Sequence, residues 1–583
     1  MKSSRHQLLF GLLAVGLLAL GVVLIRTPGA RIAAAPTPAV TPVVSQPTAA
    51  PASTATPLPP TAAPPTSTPA PTSTPSPTPT PTVITLALDL SAPAGLRAVI
   101  ADWAATQGMV LVTDTVTATL SVGPRAGDQA ILLAEQVYAA ADWFATLRSG
   151  ISSAALQALW QGQPTDDGLQ VLLVSEETAA ALTGLWGTPG STVAVVTPAD
   201  LLTRLWKEKS ALALVPFDAL MPQMTNLLID DMNVLARDLP LDHYPLVVRT
   251  WASGDAALAQ ALAQAMQADL PLRNRHPEHL TSLVMTGVTA MARNTAYAIE
   301  QRGDPAFPAR QIAEVLSAAD ITHISNEIPF YVGCEARPIR NLLVLCSKPA
   351  YMAAIKLVGT DIIGLTGNHM LDYDIEPFLY TLDLYDQEGL PYYGGGRTDV
   401  EASRPLTITD HGNKLAFLGA NSFGPEWNWA DSKSPGARRY DPAAMAQSIR
   451  DIRAWTDIVL VEYQAEETYE YEPSFNNQAQ FRATLAAGAD IVTGVQAHQP
   501  QAVEFSQDGR GIILYGLGNL FFDQMFAENV RQGLIPRHTI YEGRLLQTEL
   551  LTTILEDYAQ PRWATAAERE RILKLVFGAS GFK

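Results

Sequence analysis

The sequence predicts an α/β protein with two folded parts behind a Pro/Thr-rich tract. Three observations predict it. Apolar, strand-like runs alternate with segments of helical period along most of the chain beyond residue 83. Residues 36–83 are almost wholly Pro, Thr, Ala and Ser, and set these runs apart from the N-terminus. Several apolar runs end directly in turns carrying Asn, His, Gln or Asp, where a sheet presents chemistry at its edge. A chain of 583 residues exceeds one core and implies two or three domains.

The N-terminal segment sets the expected location. Lys2 and Arg5 precede an uncharged run from Leu8 to Ile25. As a helix this run approaches the thickness of a bilayer core, and the flanking charges hold the N-terminus in the cytoplasm. A cleaved signal peptide is the rival reading, with Ala33-Ala34-Ala35 as its small-residue site. The run is long for a signal core, which favours an uncleaved anchor over residues 1–26. Both readings send the remainder outside, so the expected location is the cell membrane, single-pass, with extracytoplasmic C-terminal domains. Residues 27–83 are expected to be a disordered, extended linker, because such a composition cannot bury a core. The formal charge of −18 excludes a nucleic-acid surface, which needs a basic patch. The two cysteines, Cys334 and Cys346, flank a short segment and are expected to pair outside the cytoplasm.

The first folded part, over residues 84–275, opens with the alternating strand Ile84 to Leu88. A helix follows through Leu96 to Trp103. The strand Val171 to Val174 leads into a helix from Glu176 to Leu185, and Thr197-Pro198 opens another with proline at its first position. Ala211 to Leu220 and Tyr244 to Val248 complete an α/β pattern. Its Val215-Pro216-Phe217-Asp218 piece and its Tyr244-Pro245-Leu246 strand resemble the second lobe of periplasmic-type solute-binding proteins. No ligand signature accompanies them, and a spacer lobe is the alternative.

The second folded part, over residues 279–583, begins with a short strand at Ser282 to Gly287. Helices are expected at about Pro308 to Ala319 and Pro349 to Val358. Ile375, Phe378, Leu379, Leu382 and Tyr385 share one helical face. Strands fit Leu415 to Gly419, Asp457 to Tyr463, Asp490 to Gly494, Ala502 to Phe505 and Ile512 to Tyr515. Helices fit Ala443 to Trp455 and Asn476 to Ala487. Thr565-Ala566-Ala567-Glu568 is a capping box that opens a last helix. Gly394-Gly395-Gly396 reads as a flexible turn.

Three polar turns carry the functional signal. They are Leu365-Thr366-Gly367-Asn368-His369 with Asp372 and Tyr373, Gly494-Val495-Gln496-Ala497-His498, and Tyr515-Gly516-Leu517-Gly518-Asn519. In this order they resemble the CapA family of capsule or poly-γ-glutamate biosynthesis proteins. The resemblance implies a four-layer α/β/β/α metallophosphatase-like domain. It also implies a site where Asp, Asn and His at strand ends converge on metal ions that polarise a substrate and lower the pKa of bound water. Matched position by position, the Gly-Asp turn reads Gly287-Val288, with Arg293 kept, and valine cannot ligate. The Asn-Leu-Glu turn reads Ser325-Asn326-Glu327. The Asn-His turn is intact at Asn368 and His369. The His-Trp-Gly-x-Glu strand end reads Glu462 to Glu466, and the Gly-His-x-Pro-His turn keeps only its last histidine, His498.

The resemblance therefore implies His369, His498 and Glu466 as catalytic groups and Arg293, Asn326 and Asn368 as substrate-binding groups. One divalent metal, Mn, Zn or Mg, would take its ligands from Glu327, His369, Glu462, Glu466 and His498. Three expected ligands are replaced, so a full two-metal centre is not expected. Asn519 and Asp523 are read as turn residues. Gly-x-Ser-x-Gly and Gly-x-x-x-x-Gly-Lys-Ser/Thr are absent. The functional expectation is a membrane-anchored protein in the synthesis, export or attachment of an anionic surface polymer such as poly-γ-glutamate. Its expected partners are the cytoplasmic membrane, the polymer and capsule-synthesis membrane proteins. A metal-dependent hydrolase of phosphoester or amide bonds is one alternative. A non-catalytic binding protein with a degenerate metallophosphatase site is the other.

Overall fold

A computed structural model describes residues 83–338 and 343–582. The apolar run Leu8 to Ile25 and the Pro/Thr tract through residue 82 lie outside the described residues. Among those described, no helix is long and apolar enough to cross a membrane.

The first part is built on one sheet. Its main strands are β1 (Thr85–Leu88), β2 (Val110–Val112), β3 (Leu120–Gly123), β4 (Ile131–Trp143), β5 (Val171–Val174), β6 (Val193–Val195), β7 (Ala211–Pro216) and β8 (Val247–Gly254). They lie in the order β2-β1-β3-β8-β4-β7-β5-β6. The long β4 links two halves, each with its own apolar core, one around Leu86, Ile100 and Leu120 and one around Trp160, Leu172 and Leu212.

The second part has two sheets. The first holds β9 (Leu280–Val284), β10 (Ile321–Asn326), β11 (Ile362–Gly364) and β12 (Tyr392–Tyr393). The second holds β13 (Leu406–Asp410), β14 (Asn413–Asn421), β15 (Ile458–Gln464), β16 (Ile491–Gly494), β17 (Val503–Phe505) and β18 (Ile512–Leu514). The chain then returns to the first sheet through β19 (Gln532–Tyr541), β20 (Arg544–Glu556) and β21 (Gln560–Trp563). The strand orders are β12-β11-β10-β9-β19-β20-β21 and β13-β14-β15-β16-β18-β17.

Three apolar layers show how the sheets stack. Leu283, Ile321, Ile362, Phe417, Leu460, Ile491 and Leu514 form the layer between the sheets. Outside the first sheet, Ile324 and Ile363 meet residues of α1 (Arg293–Arg302), α2 (Ala313–Ser317), α3 (Met352–Leu357) and α4 (Ile375–Glu388). Outside the second, Val459, Val461 and Val492 meet α5 (Pro442–Arg453) and α6 (Phe475–Ala486). The domain is thus helix, sheet, sheet, helix, the four-layer arrangement expected. Period-two alternation produces it, since successive residues of a strand face opposite layers. Along β15, Ile458 and Leu460 face the other sheet, while Val459 and Val461 face the helices.

Local chemistry sets the helix ends. Asp441 caps α5, which has proline in its first turn, and Ser474 caps α6 through a bond from the Asn477 N–H. The final helix, α7 (Ala566–Ala579), opens with the reciprocal capping box of Thr565 and Glu568.

The two parts also touch. Gln547 accepts the Asn226 N–H at 2.9 Å, and the Phe217 and Tyr541 rings pack edge to face at 5.1 Å.

The triple glycine departs from the flexible turn expected of it. Gly395 and Gly396 pair with Ala437 and Gly436 as a buried ribbon. A Cβ on Gly395 would come 2.7 Å from the Leu365 carbonyl oxygen, so close packing demands glycine there.

Candidate functional site

The polar turns gather where strands of both sheets end. Strand parity decides which side chains arrive. On β10, His323 and Ser325 face the other sheet, and Glu327 continues that set just beyond the strand. Asn326 has the opposite parity. It donates to the Ile328 carbonyl at 2.7 Å and turns towards Tyr385 in the helix layer. The structure therefore removes Asn326 from the substrate-binding group.

On β15 parity puts Glu462 and Gln464 on one face, and depth along the strand separates them. Both face the other sheet, but Gln464 ends the strand and Glu462 lies one repeat deeper. Gln464 Nε2 lies 3.0 Å from Glu327 Oε1 and 2.8 Å from Asn368 Oδ1, and it also contacts Gln496 Oε1. Two glutamines thus hold the positions facing Glu327 and Asn368, and sequence reasoning passed over both. The readable signal was parity together with strand length: Gln464 shares the face of Leu460 and ends the strand.

Glu462 belongs to a separate cluster between the sheets. Its Oε1 accepts from Ser325 at 3.1 Å and Thr366 at 2.8 Å, and its Oε2 lies 3.2 Å from His323 Nε2. The Tyr393 hydroxyl is 2.9 Å from the same nitrogen. Burial drives the Tyr393 hydroxyl well above its ordinary pKa, with the Glu462 charge adding to the rise. Every member is buried. Glu462 is therefore engaged away from the strand-end cluster, contrary to its place in the expected ligand set. Glu466 is held at the start of α6. Its carboxylate accepts from Asn476 at 2.6 Å at the start of α6, and hydrogen bonds from Ser474 and Asn476 hold its pKa below the ordinary range.

Both histidines are braced at Nδ1. His369 Nδ1 lies 2.7 Å from Asp372 Oδ2. Burial disfavours its cationic form. The hydrogen bond to Asp372 and the charges of Glu327 and Asp372 outweigh that, and Arg293 opposes them, so its pKa stands above the ordinary value. His498 Nδ1 lies 2.8 Å from Asn519 Oδ1, while Asn519 donates to the His498 carbonyl oxygen at 3.1 Å. Asn519 is thus the brace of His498. The Tyr469 ring stacks over His498 at 6.3 Å.

Arg293 adopts positive φ at the start of α1. Its guanidinium pairs with Asp523 and lies 4.7 Å from the centre of the Phe522 ring. Asp523 also accepts from the Asn294 side chain at 2.9 Å. Val288 is buried in an apolar patch with Ile328, Leu345, Val495 and Phe522 directly under these turns. Cys334 and Cys346 form a disulfide, with Cα atoms 5.9 Å apart.

The resemblance to metallophosphatase-like proteins implies divalent metal at such strand ends. The donors present do not fit a paired-metal centre of histidines and carboxylates. Val288 and Val495 supply no ligand, and Glu462 and Glu466 are engaged elsewhere. What the strand ends offer is oxygen: Glu327 and three side-chain amides. Among the described residues, three histidine or carboxylate ligand atoms gather at Asp320, Asp410 and His411. Arg237 already lies there, 2.5 Å from Asp320 Oδ1 and 3.1 Å from His411 Nε2.

The family described as bacterial capsule synthesis protein PGA_cap matches residues 252–524. The capsule biosynthesis protein CapA of Bacillus anthracis is 24% identical over 342 residues, covering 58% of this chain and 79% of its own length. The PGA biosynthesis protein CapA of Bacillus subtilis strain 168 is 24% identical over 286 residues, covering 48% and 74%. A phosphatase structure from Mycoplasma pneumoniae aligns over 47% of this chain and 94% of its own, with 11% identity and a TM-score of 0.32. An ABC-type phosphate transport receptor structure from Vibrio cholerae aligns over 32% and 94%, with 13% identity and a TM-score of 0.27. With its family match, its CapA relatives and its four-layer fold, the C-terminal domain of this chain belongs to the CapA family of bacterial capsule synthesis proteins.

Proposed function

We propose that this chain acts outside the cytoplasm, held by its N-terminal segment, in the synthesis, export or attachment of an anionic surface polymer such as poly-γ-glutamate. Its task there is to bind the polymer at the strand-end cluster. The observation that carries this reading is the convergence of Glu327, Asn368, Gln464 and Gln496, with the His369 imidazole within reach of the Glu327 and Arg293 charges. The capsule roles printed for the Bacillus relatives support the process. Side-chain amides offer both donors and acceptors to an amide-linked chain, and a protonated His369 complements a free carboxylate. The engaged state of Glu462 and Glu466 favours binding over metal-dependent hydrolysis.

The test is calorimetric binding of defined poly-γ-glutamate oligomers to the full-length protein in detergent. His369→Ala should abolish binding while leaving the melting temperature nearly unchanged. Absence of oligomer binding, together with turnover of a model phosphoester or amide substrate, would transfer the assignment to the hydrolase.

A further inference from the structure

One buried carboxylate oxygen ties together the chain segments that carry the strand-end cluster. Glu462 Oε1 accepts from the Ser325 hydroxyl at 3.1 Å and from the Thr366 hydroxyl at 2.8 Å. Each hydroxyl supplies one hydrogen and the oxygen offers two lone pairs, so the count closes. The three residues are in step with the site. Glu327 lies two positions past Ser325, Asn368 two past Thr366, and Gln464 two past Glu462. These are the side chains that meet at the strand ends, where Gln464 Nε2 lies 3.0 Å from Glu327 Oε1 and 2.8 Å from Asn368 Oδ1. Along the pleat of β10 and β15 two residues span about 7 Å, so the Glu462 bonds sit one repeat below the site.

Water does not compete for these bonds. Ser325, Thr366 and Glu462 are only 3%, 0% and 1% exposed. A hydrogen bond shielded from water is stronger and fixes its partners more tightly. The bonds also cross the gap between the sheets, since Ser325 belongs to β10 of the first sheet and Glu462 to β15 of the second. Thr366 is held from β14 as well, because its carbonyl oxygen accepts from Asn421 Nδ2 at 2.9 Å. A buried carboxylate adds little net stability, since desolvation offsets most of what its partners return. What it supplies here is a fixed spacing between three chain segments.

We infer that Glu462 is a positioning residue for the strand-end site, holding the segments of Glu327, Asn368 and Gln464 in register through the Ser325 and Thr366 hydroxyls. Side chains that meet a ligand must be placed within about 0.5 Å, and a supporting layer of hydrogen bonds is what locks them. The other carboxylate oxygen faces the core. It lies 3.2 Å from His323 Nε2, which also meets the Tyr393 hydroxyl at 2.9 Å. Tyr393 thus belongs to the same buried cluster through His323, on the side away from the two hydroxyls. The inference rests on the strand-end cluster being the binding site proposed above, and its test includes a readout that needs no polymer.

The test uses the full-length protein in detergent. It follows calorimetric affinity for poly-γ-glutamate oligomers and hydrogen exchange in peptides covering residues 323–331 and 364–373. These peptides contain the Glu327 N–H, bonded to the Thr289 carbonyl at 3.0 Å, and the Leu371 N–H, bonded to Asn428 Oδ1 at 3.0 Å. Ser325→Ala combined with Thr366→Val removes both hydroxyls. It should weaken oligomer binding at least about tenfold and speed exchange in both peptides, with exchange in α7 as in the parent. Glu462→Gln keeps an acceptor oxygen in place and should stay within about threefold of the parent. Tyr393→Phe should lower the melting temperature and leave both readouts unchanged. Thr366→Val alone carries the same readouts at smaller amplitude if the double variant fails to fold. The inference is overturned if the hydroxyl variants bind and exchange as the parent does, or if Tyr393→Phe weakens binding as much as they do. If the parent binds no oligomer, the exchange data still decide the positioning role, and the polymer reading alone falls.

Discussion

His369 and Asp372 form a braced pair, with Nδ1 of the imidazole 2.7 Å from Oδ2 of the carboxylate. The same oxygen accepts the Leu345 N–H at 2.7 Å. Leu345 immediately precedes Cys346, so the disulfide-closed segment reaches the histidine through one carboxylate. The brace fixes which ring nitrogen carries the proton and which way the ring faces. Asp372→Asn keeps the shape but removes the charge that favours the imidazolium. It should weaken polymer binding strongly while costing about 1.5–3 kcal/mol of stability, the value of a hydrogen bond to a charged group. Calorimetric affinity and chemical denaturation, run on the same preparation, separate the two effects.

The disulfide makes its own contribution. Replacing Cys334 and Cys346 together by serine frees a segment with a sequence separation of 12. Loop-closure entropy predicts a loss of about 2–3 kcal/mol. A urea midpoint unchanged from the parent would refute this.

How far the sequence could be read follows from the residues themselves. The capping box at Thr565, the helical face of Phe378, Leu382 and Tyr385, and the apolar runs of β14, β15 and β16 all carry local signals, and all appear where expected. The β19–β20 hairpin was not legible. Gly533 and Pro536 interrupt β19, and proline normally argues against an interior strand. Here Pro536 lies opposite Leu550, and its carbonyl oxygen accepts the Met285 N–H at 3.1 Å. The Asn-His turn was legible as a motif. Motif matching points to Glu462 and Glu466, which share the face of Gln464 but differ from it in depth, one repeat before the strand end and one beyond it. Only the length of β15, which ends at Gln464, brings that residue to the strand end.

The buried cluster of Glu462 and His323 constrains its neighbours. A Cβ on Gly364 would lie 2.5 Å from Glu462 Oε1 and 2.9 Å from His323 Nε2. Gly364→Ala should therefore push apart a polar pair that has no solvent to retreat to. Overpacking of this kind costs about 1–3 kcal/mol, and lost hydrogen bonds to Ser325 and Thr366 add to it. Thermal unfolding measures the sum. Gly303→Ala serves as the control for side-chain contact, because a Cβ there meets nothing within 4 Å and any cost comes from its left-handed backbone.

Two histidines should give stability opposite pH dependences. His538 is fully buried on β19, with Nδ1 2.8 Å from Thr548 Oγ1, and burial pushes its pKa down from the ordinary 6.5 to about 3. Above 6.5 it is neutral in both folded and unfolded chains, so stability there is unaffected. As pH falls from 6.5 towards 3, the unfolded chain takes a proton that the folded chain refuses. Stability should then decline by up to about 1.4 kcal/mol per pH unit from this residue alone. His369 has the reverse sign. Its raised pKa contributes stability below the ordinary value that fades as pH rises through the folded one. His538→Leu, which cannot titrate, should flatten the acid limb between pH 6.5 and 3 and leave the limb above 6.5 unchanged. Denaturation midpoints measured across that range decide it. Parallel acid limbs in parent and variant would mean that His538 is not the group that takes up the proton.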